Sequence, residues 1–290
     1  MKPAPFAYRR PVRLDEALAL LNRLGGEARP LAGGQSLVPM MNMRVARPEH
    51  LVDLNGLDEL AVIREEAGGV MVGALVRHRA AERSAALQRL CPILPKVAAT
   101  IGHDAIRERG TVGGSLALAD PAAQWPLLAV LLDARLDLAS ADGRRSLTAR
   151  DFFFDVFTTA IEPGELVVGA VFPVFVGEGW GYRAFCRRHG DFAIVAVATT
   201  LLLDGEGRVA WLRLALGGVG GTPVALDALA AAQRGSRPDT QWQREVAAAA
   251  AAAIAPTDDW QASAAFRREL AAVLTEAALG DALARSGGRG

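Results

Sequence analysis

The sequence is poor in the residues that hold metals. It has two cysteines, Cys91 and Cys186, in 290 residues. Two thiolates fall short of the set that binds an ordinary cysteine-held iron–sulfur cluster, and a chain of this size requires no disulfide. The four histidines, His50, His78, His103 and His189, are scattered. None forms an HExxH-type pair, so no protein-ligated metal is expected. Charge of one sign is lacking too. Lysine plus arginine and aspartate plus glutamate each number 32, which leaves no broad basic field for a nucleic-acid backbone. No apolar run reaches the length of about 18 uncharged residues that a membrane helix needs. The alanine-rich stretch at 247–256 is short and weakly apolar. The opening MKPAPFAYRRPVRLDEALALL is interrupted by prolines and charges before any apolar segment forms, unlike a secretory signal. The default expectation is a cytoplasmic protein.

What is present is apolar and glycine-rich. Hydrophobic residues make up 51% of the chain, enough for two or three packed units. LDEALALLNRL, 14–24, reads as an amphipathic helix, with leucines recurring on one face and acids in its first turn. A short buried strand is expected within 29–39, running into a glycine turn, and another strand at 68–76. From His78 the chain reads as helix, proline break, helix, with Cys91 a buried thiol beside the break. GHDAIRERG, 102–110, reads as a loop. Residues 126–140 read as a helix giving way to a strand. The aromatic cluster at 147–157 suits core or domain packing. A boundary is expected near 176–181, followed by a strand–turn–strand hairpin over 191–220. Alanine-rich helices follow near 225–233, 242–255 and 260–279, then a frayed SGGRG end.

Two short stretches carry chemistry. AGGQS, 32–36, and TVGGS, 111–115, each place Gly-Gly before a small hydroxyl residue. Neither matches GxGxxG or GxxxxGK[ST]. Glycine permits positive φ and removes the Cβ obstruction, so consecutive N–H groups can converge on phosphate oxygens. Ser36, Thr111 and Ser115 can add hydroxyl donors. The pair could enclose a pyrophosphate from two sides, or both could be tight structural turns.

The order of the surrounding motifs adds a family resemblance. AGGQSLVPMMNMRVARPEHLVDLNGL, IRERGTVGGSLALADPAAQWP and FCRRHGDFAIVAVA, with FAYRRPVRLDEALALL and EPGELVVGAVFP in the expected order, resemble segments of the flavoprotein (medium) subunits of molybdenum hydroxylases. That group includes carbon monoxide and xanthine dehydrogenases. The resemblance covers residues 1–225 well and the helical tail more loosely. It implies an α+β fold: a two-lobed, PCMH-type (vanillyl-alcohol-oxidase-like) FAD-binding domain, then a smaller α+β C-terminal domain. Lobe 1 would span 1–58, lobe 2 59–176 and the C-terminal domain 177–290.

The resemblance implies a cofactor, FAD, and a set of contacts. Ala32, Gly33, Gly34, Gln35, Ser36 and Leu37 would lie on the pyrophosphate side. Thr111, Gly113, Gly114 and Ser115 would form the second phosphate-facing turn. Asp120 would meet the adenosine or ribityl portion. Gln124 stands where an acidic residue is usual, and Leu118 where a histidine or larger residue is common. Leu166 would approach the flavin or simply pack in the core. Tyr182 and Arg183 would approach the flavin or serve the domain interface. Arg188 and Asp191 would form an ion pair or turn network first and a flavin-tuning pair second, and Cys186 would be a small buried residue. No catalytic residue is expected on this chain. The implied partners are an iron–sulfur small subunit and a molybdenum-cofactor large subunit, in a dimer of heterotrimers. A self-contained FAD-dependent oxidoreductase on the same scaffold is the competing enzyme reading. A nucleotide-binding module without flavin chemistry is the competing non-enzymatic one.

Overall fold

A computed structural model describes residues 2–175 and 177–286. The first lobe comprises β1 (Ala7–Arg9), α1 (Leu14–Leu24), β2 (Ala28–Leu31), α2 (Leu37–Asn42) and β3 (His50–Asp53). Its strands are parallel in the order β1-β3-β2. The expected helix at 14–24 forms. Leu14, Ala17, Leu18 and Leu21 bury its apolar face, Asp15 and Glu16 occupy its first turn, and Gly25 closes it at φ +55° by donating its N–H to the Leu21 carbonyl. The strand after it is less buried than its sequence suggests. Only Ala28 is covered, while Arg29 and Pro30 face solvent at the sheet edge.

The second lobe begins with β4 (Ile63–Glu66) and β5 (Gly69–Gly73). The short helices α3 (His78–Glu82), α4 (Ala85–Leu90), α5 (Ile93–Ala98), α6 (Asp104–Arg109), α7 (Val112–Leu118) and α8 (Gln124–Leu131) follow. It ends with β6 (Arg135–Ser140), β7 (Gly143–Thr148), α9 (Ala149–Phe152), the small pair β8 (Phe153–Asp155) and β9 (Thr158–Thr159), and β10 (Leu166–Pro173). The main sheet is antiparallel in the order β4-β5-β10-β6-β7. Trp125, Phe152 and Phe172 are fully buried in its core. Every residue of α8 is buried. An apolar sequence on all sides needs cover on all sides, and β12 and β13 of the next domain supply part of it.

The C-terminal domain comprises β11 (Gly179–Phe185), β12 (Val195–Leu203), β13 (Val209–Gly217), β14 (Val224–Ala225), α10 (Asp227–Ala231), α11 (Thr240–Ala253) and α12 (Ala264–Ser286). The expected hairpin is present, with β12 and β13 antiparallel in a four-stranded sheet. Helix α12 lies directly on β11. A Cβ on Gly181 would fall 1.9 Å from the Ala278 carbonyl oxygen, and one on Gly179 2.0 Å from that of Ala282. Only glycine allows backbone to approach backbone this closely.

Three local expectations need correction. GHDAIRERG is not a loop: its residues 104–109 form α6, held by Arg107, which is buried and bonds Glu82 at 3.0 Å and the carbonyls of Ile101 and Gly102 at 3.1 Å. TVGGS is not a free turn, because Val112 to Ser115 already belong to α7. The aromatic cluster divides: Phe152 and Phe153 are buried, whereas Phe154 and Phe157 are exposed. Of the expected frayed end, Ser286 closes α12, and residues 287–290 lie outside the described residues, as does residue 176 of the expected boundary.

Candidate functional site

The two glycine stretches are brought together at the junction of the lobes. A Cβ on Gly33 would fall 2.4 Å from the Arg109 carbonyl oxygen and 2.8 Å from Gly110 Cα. Gly33 therefore lets the first turn press against the backbone that leads into the second. From the other side, a Cβ on Gly114 would sit 3.8 Å from the Ala32 Cβ.

The turns differ in what their N–H groups do. Gly34 takes φ +71°. The N–H groups of Gly33, Gly34, Gln35 and Ser36 donate to nothing among the described residues, and the Gln35 amide folds back to the Gly33 carbonyl at 3.1 Å. That open run suits an anion. In the second turn the N–H groups of Val112, Gly113 and Ser115 donate to the carbonyls of Val76, Ala74 and Thr111. The Gly114 N–H donates to Thr111 Oγ1 at 3.1 Å, so Thr111 caps α7. The expectation of a second run of free N–H groups is thus corrected. Gly113 is required by packing, since a Cβ would fall 2.4 Å from that of Ala74. Thr111 and Gly113 are buried, while Gly114 and Ser115 keep part of their surface open.

Downstream of α7, Ala119 adopts a left-handed conformation at φ 54°. Asp120 follows, with Oδ1 accepting the Ala122 N–H at 2.9 Å. Burial raises its pKa above the usual carboxylate range. Gln124 opens α8 and is buried. Tyr182 and Arg183 are neighbours on β11 and so point to opposite faces. The Tyr182 hydroxyl turns toward Thr100 and Gln124 and is buried without a well-formed hydrogen bond, and burial pushes its pKa up to about 12. Arg183 reaches away to Asp281 on α12 at 2.8 Å. Leu166 is packed in the core with Leu14, Leu18 and Leu21 of α1. Leu118, the other departure from the family pattern, ends α7 half-buried.

Arg188 and Asp191 form a turn, the Asp191 N–H donating to the Arg188 carbonyl at 3.2 Å. No ion pair joins them among the described residues. Both cysteines are free. Cys91 is buried, and burial raises its pKa. Cys186 is half-buried, and burial followed by nearby Asp191 raises its pKa.

Sequence reasoning missed the network that locks the lobes. Asp53 at the end of β3 accepts hydrogen bonds from the Tyr8 hydroxyl and from the Asn55 N–H, the latter at 3.0 Å. Asn55 donates to the Ala32 carbonyl at 3.0 Å and accepts from Arg77, whose guanidinium also donates to the Arg109 carbonyl. Arg77 thus joins both glycine stretches. Burial, with Arg109 close by, lowers its pKa. The legible signal was Asp53-x-Asn55 after a strand, a pattern that favours a side-chain-bonded turn. Nothing in sequence tied it to Arg77. Replacing Arg77 by alanine is expected to cost about 1–3 kcal/mol by leaving the Asn55 and Arg109 acceptors unpaired. Urea unfolding of the variant would measure it, and an unchanged midpoint would refute the lock.

The arrangement defines a class: a two-lobed α+β domain whose first glycine turn leaves its N–H groups open at the lobe junction, with a C-terminal domain packed against the second lobe. Comparison with known proteins specifies it. Residues 4–175 match the FAD binding domain in molybdopterin dehydrogenase, and residues 180–282 match the CO dehydrogenase flavoprotein C-terminal domain. The chain is 37% identical to the carbon monoxide dehydrogenase medium chain of Afipia carboxidovorans, over 99% of both chains. It is also 37% identical to the 6-hydroxypseudooxynicotine dehydrogenase complex subunit alpha of Paenarthrobacter nicotinovorans, over 99% of this chain and 97% of that one. Among solved structures, it superposes on a chain of quinoline 2-oxidoreductase from Pseudomonas putida 86 with TM-score 0.95 and 36% identity, over 99% of each chain. It superposes on a chain of Cu,Mo-CO dehydrogenase with TM-score 0.94 and 37% identity, over 98% of this chain and all of that one.

The chain belongs to the FAD-binding medium-subunit family of the molybdopterin and CO dehydrogenases. It is a flavoprotein subunit of an oxidoreductase complex, with FAD as its cofactor. Among the described residues, no helix is long and apolar enough to cross a membrane.

Proposed function

We propose that this chain is the electron-transfer subunit of a heterotrimeric molybdenum hydroxylase. It would accept electrons from the [2Fe–2S] clusters of a small subunit and pass them to a terminal acceptor. Substrate oxidation would occur on a large molybdenum-cofactor subunit. The observation that carries the cofactor's placement is the run of unpaired N–H groups at Gly33–Ser36, pressed against Arg109 and Gly110 by a contact only glycine permits. FAD, when bound, supplies the exchange between paired and single electrons.

The chain's own residues would then bind and orient. Gly33, Gly34, Gln35 and Ser36 would donate N–H groups to the pyrophosphate, with Ala32 and Leu37 flanking them. Gly114 and Ser115 would line the facing side, Ser115 through its hydroxyl. Thr111 and Gly113 would act from behind, one capping α7 and the other seating it on Ala74. Asp120 would offer an acceptor to hydroxyls from a position where burial raises its pKa. Gln124 brings amide donors where a carboxylate would only accept. With the buried Tyr182 hydroxyl it offers uncharged hydrogen bonds at the junction with the C-terminal domain. Leu166 would support the site through the core, and Arg183 through α12.

The partner assignment has a direct test. The chain is expected to copurify with a cysteine-rich small subunit and a larger molybdenum-binding one. Bound FAD should be reduced by the oxidisable substrate only when all three chains are together. Substrate-dependent reduction by this chain alone would favour the self-contained oxidoreductase. An intact fold that binds neither FAD nor FMN would remove the electron-transfer role.

A further inference from the structure

The most deeply buried arginine of the C-terminal domain lies outside every motif discussed so far. Arg267, on α12, has 5% of its surface exposed. Its Nη1 donates to the Ile194 carbonyl at 2.5 Å and the Gly218 carbonyl at 2.7 Å, and its Nη2 donates to Asp259 Oδ2 at 2.6 Å. One guanidinium thus gathers the end of the 186–194 loop, the end of β13 and the segment before α12. Burying a charge is costly unless it is paired and hydrogen-bonded, and this one has both a carboxylate and two carbonyls.

Both carbonyls belong to backbone that reaches toward the lobes. Ile194 closes the loop carrying Arg188, Asp191 and Phe192, its N–H donating to the Phe185 carbonyl at 2.8 Å. Gly218 adopts φ +75°, and a Cβ there would fall 2.4 Å from the Ile194 carbonyl oxygen. Its N–H crosses the domain boundary to the Pro121 carbonyl at 2.9 Å. Pro121 directly follows Asp120 in the segment that ends at Gln124. A continuous path therefore runs from Arg267 through Gly218 to the Asp120–Gln124 wall.

We infer that Arg267 is a positioning residue: it holds the Gly218–Pro121 crossing and the 186–194 loop in register, and so sets the packing of the C-terminal domain around the bound flavin. This rests on the flavin placement proposed above. A guanidinium is suited to the task because its planar fork serves separate acceptors, whereas a lysine ammonium is a single point with flexible reach.

The test uses Arg267→Lys and Asp259→Asn in the full chain with whatever subunits copurify. Asp259 is partly exposed, and an asparagine Oδ1 can still accept the Gln261 and Ala262 N–H groups, so its variant is expected to keep the fold while weakening one anchor of the guanidinium. Two measurements are needed: FAD affinity by fluorescence titration, and the visible circular dichroism of the flavin at saturating FAD. Arg267→Lys is expected to weaken FAD binding by about tenfold, equivalent to loss of one good interaction, and to alter the flavin band shape. Asp259→Asn should move both readouts in the same direction but less. A lower melting temperature with wild-type flavin dichroism and affinity within about twofold in both variants would reduce Arg267 to a structural residue and overturn the inference. Failure of the wild-type chain to bind FAD would refute the flavin placement itself, a separate outcome.

Discussion

Valine at position 33 is expected to weaken FAD binding by about ten- to hundredfold, the equivalent of the 1–3 kcal/mol that overpacking typically costs. The cause is local. The added Cβ alone would fall 2.4 Å from the Arg109 carbonyl oxygen, and its two methyl groups leave little freedom to turn away. The first turn must back off from the second, carrying the open N–H groups of Gly33–Ser36 with it. Valine at 114 should weaken binding by a different route, since its Cβ would meet Thr111 Oγ1 at 2.8 Å and disturb the cap of α7. Titration of apoprotein with FAD measures both, and far-ultraviolet dichroism checks that each variant is folded. Wild-type affinity in two folded variants would remove both glycines from the site.

The second large effect is one of pH. His78 is buried at the start of α3, and its Nδ1 accepts the Trp125 indole N–H at 3.0 Å. Burial, then the charges of Arg77 and Arg107, lowers its pKa from 6.5 to about 4. The folded protein holds the ring neutral where the unfolded chain would protonate it. Stability from this group is complete above about pH 6.5 and is lost as pH falls toward 4, a total of about 3 kcal/mol. The His78→Asn variant should lack this component, because asparagine does not titrate there and can still accept from the indole. Urea unfolding at pH 7.5 and pH 4.5 gives the comparison. Equal losses for wild type and variant would show that His78 is not the titrating group.

These expectations rest on features of very different legibility in sequence. Helix α1 could be read because Leu14, Leu18 and Leu21 recur at the helical period and Gly25 stops them. The hairpin of β12 and β13 could be read from its apolar runs and the turn between them. Helix α6 could not be read, because it lies between Gly102 and Gly110 and its stability comes from tertiary bonds of Arg107 to Glu82 and to backbone carbonyls. A similar limit applies at the glycines. Two Gly-Gly pairs look alike as text, yet one leaves its N–H groups open while the other spends them on Thr111, Ala74 and Val76. Their mutual contact through Arg109, and the Arg77–Asn55 lock around it, exist only once the lobes are packed.

The sheet order of the second lobe has a consequence for biosynthesis. β10 lies between β5 and β6, yet it is the last strand of that sheet in the chain. A ribosome that has released residues only as far as Thr159 presents the β4–β5 and β6–β7 hairpins with the inner edges of β5 and β6 unpaired and no strand to join them. Such edges invite pairing with other chains, and pairing across long sequence separations is slow. The nascent protein therefore passes through a period in which its flavin lobe is translated but cannot close. Chaperone cover during that interval would be expected to govern yield, because the sheet closes only once Leu166–Pro173 has paired with β5 and β6.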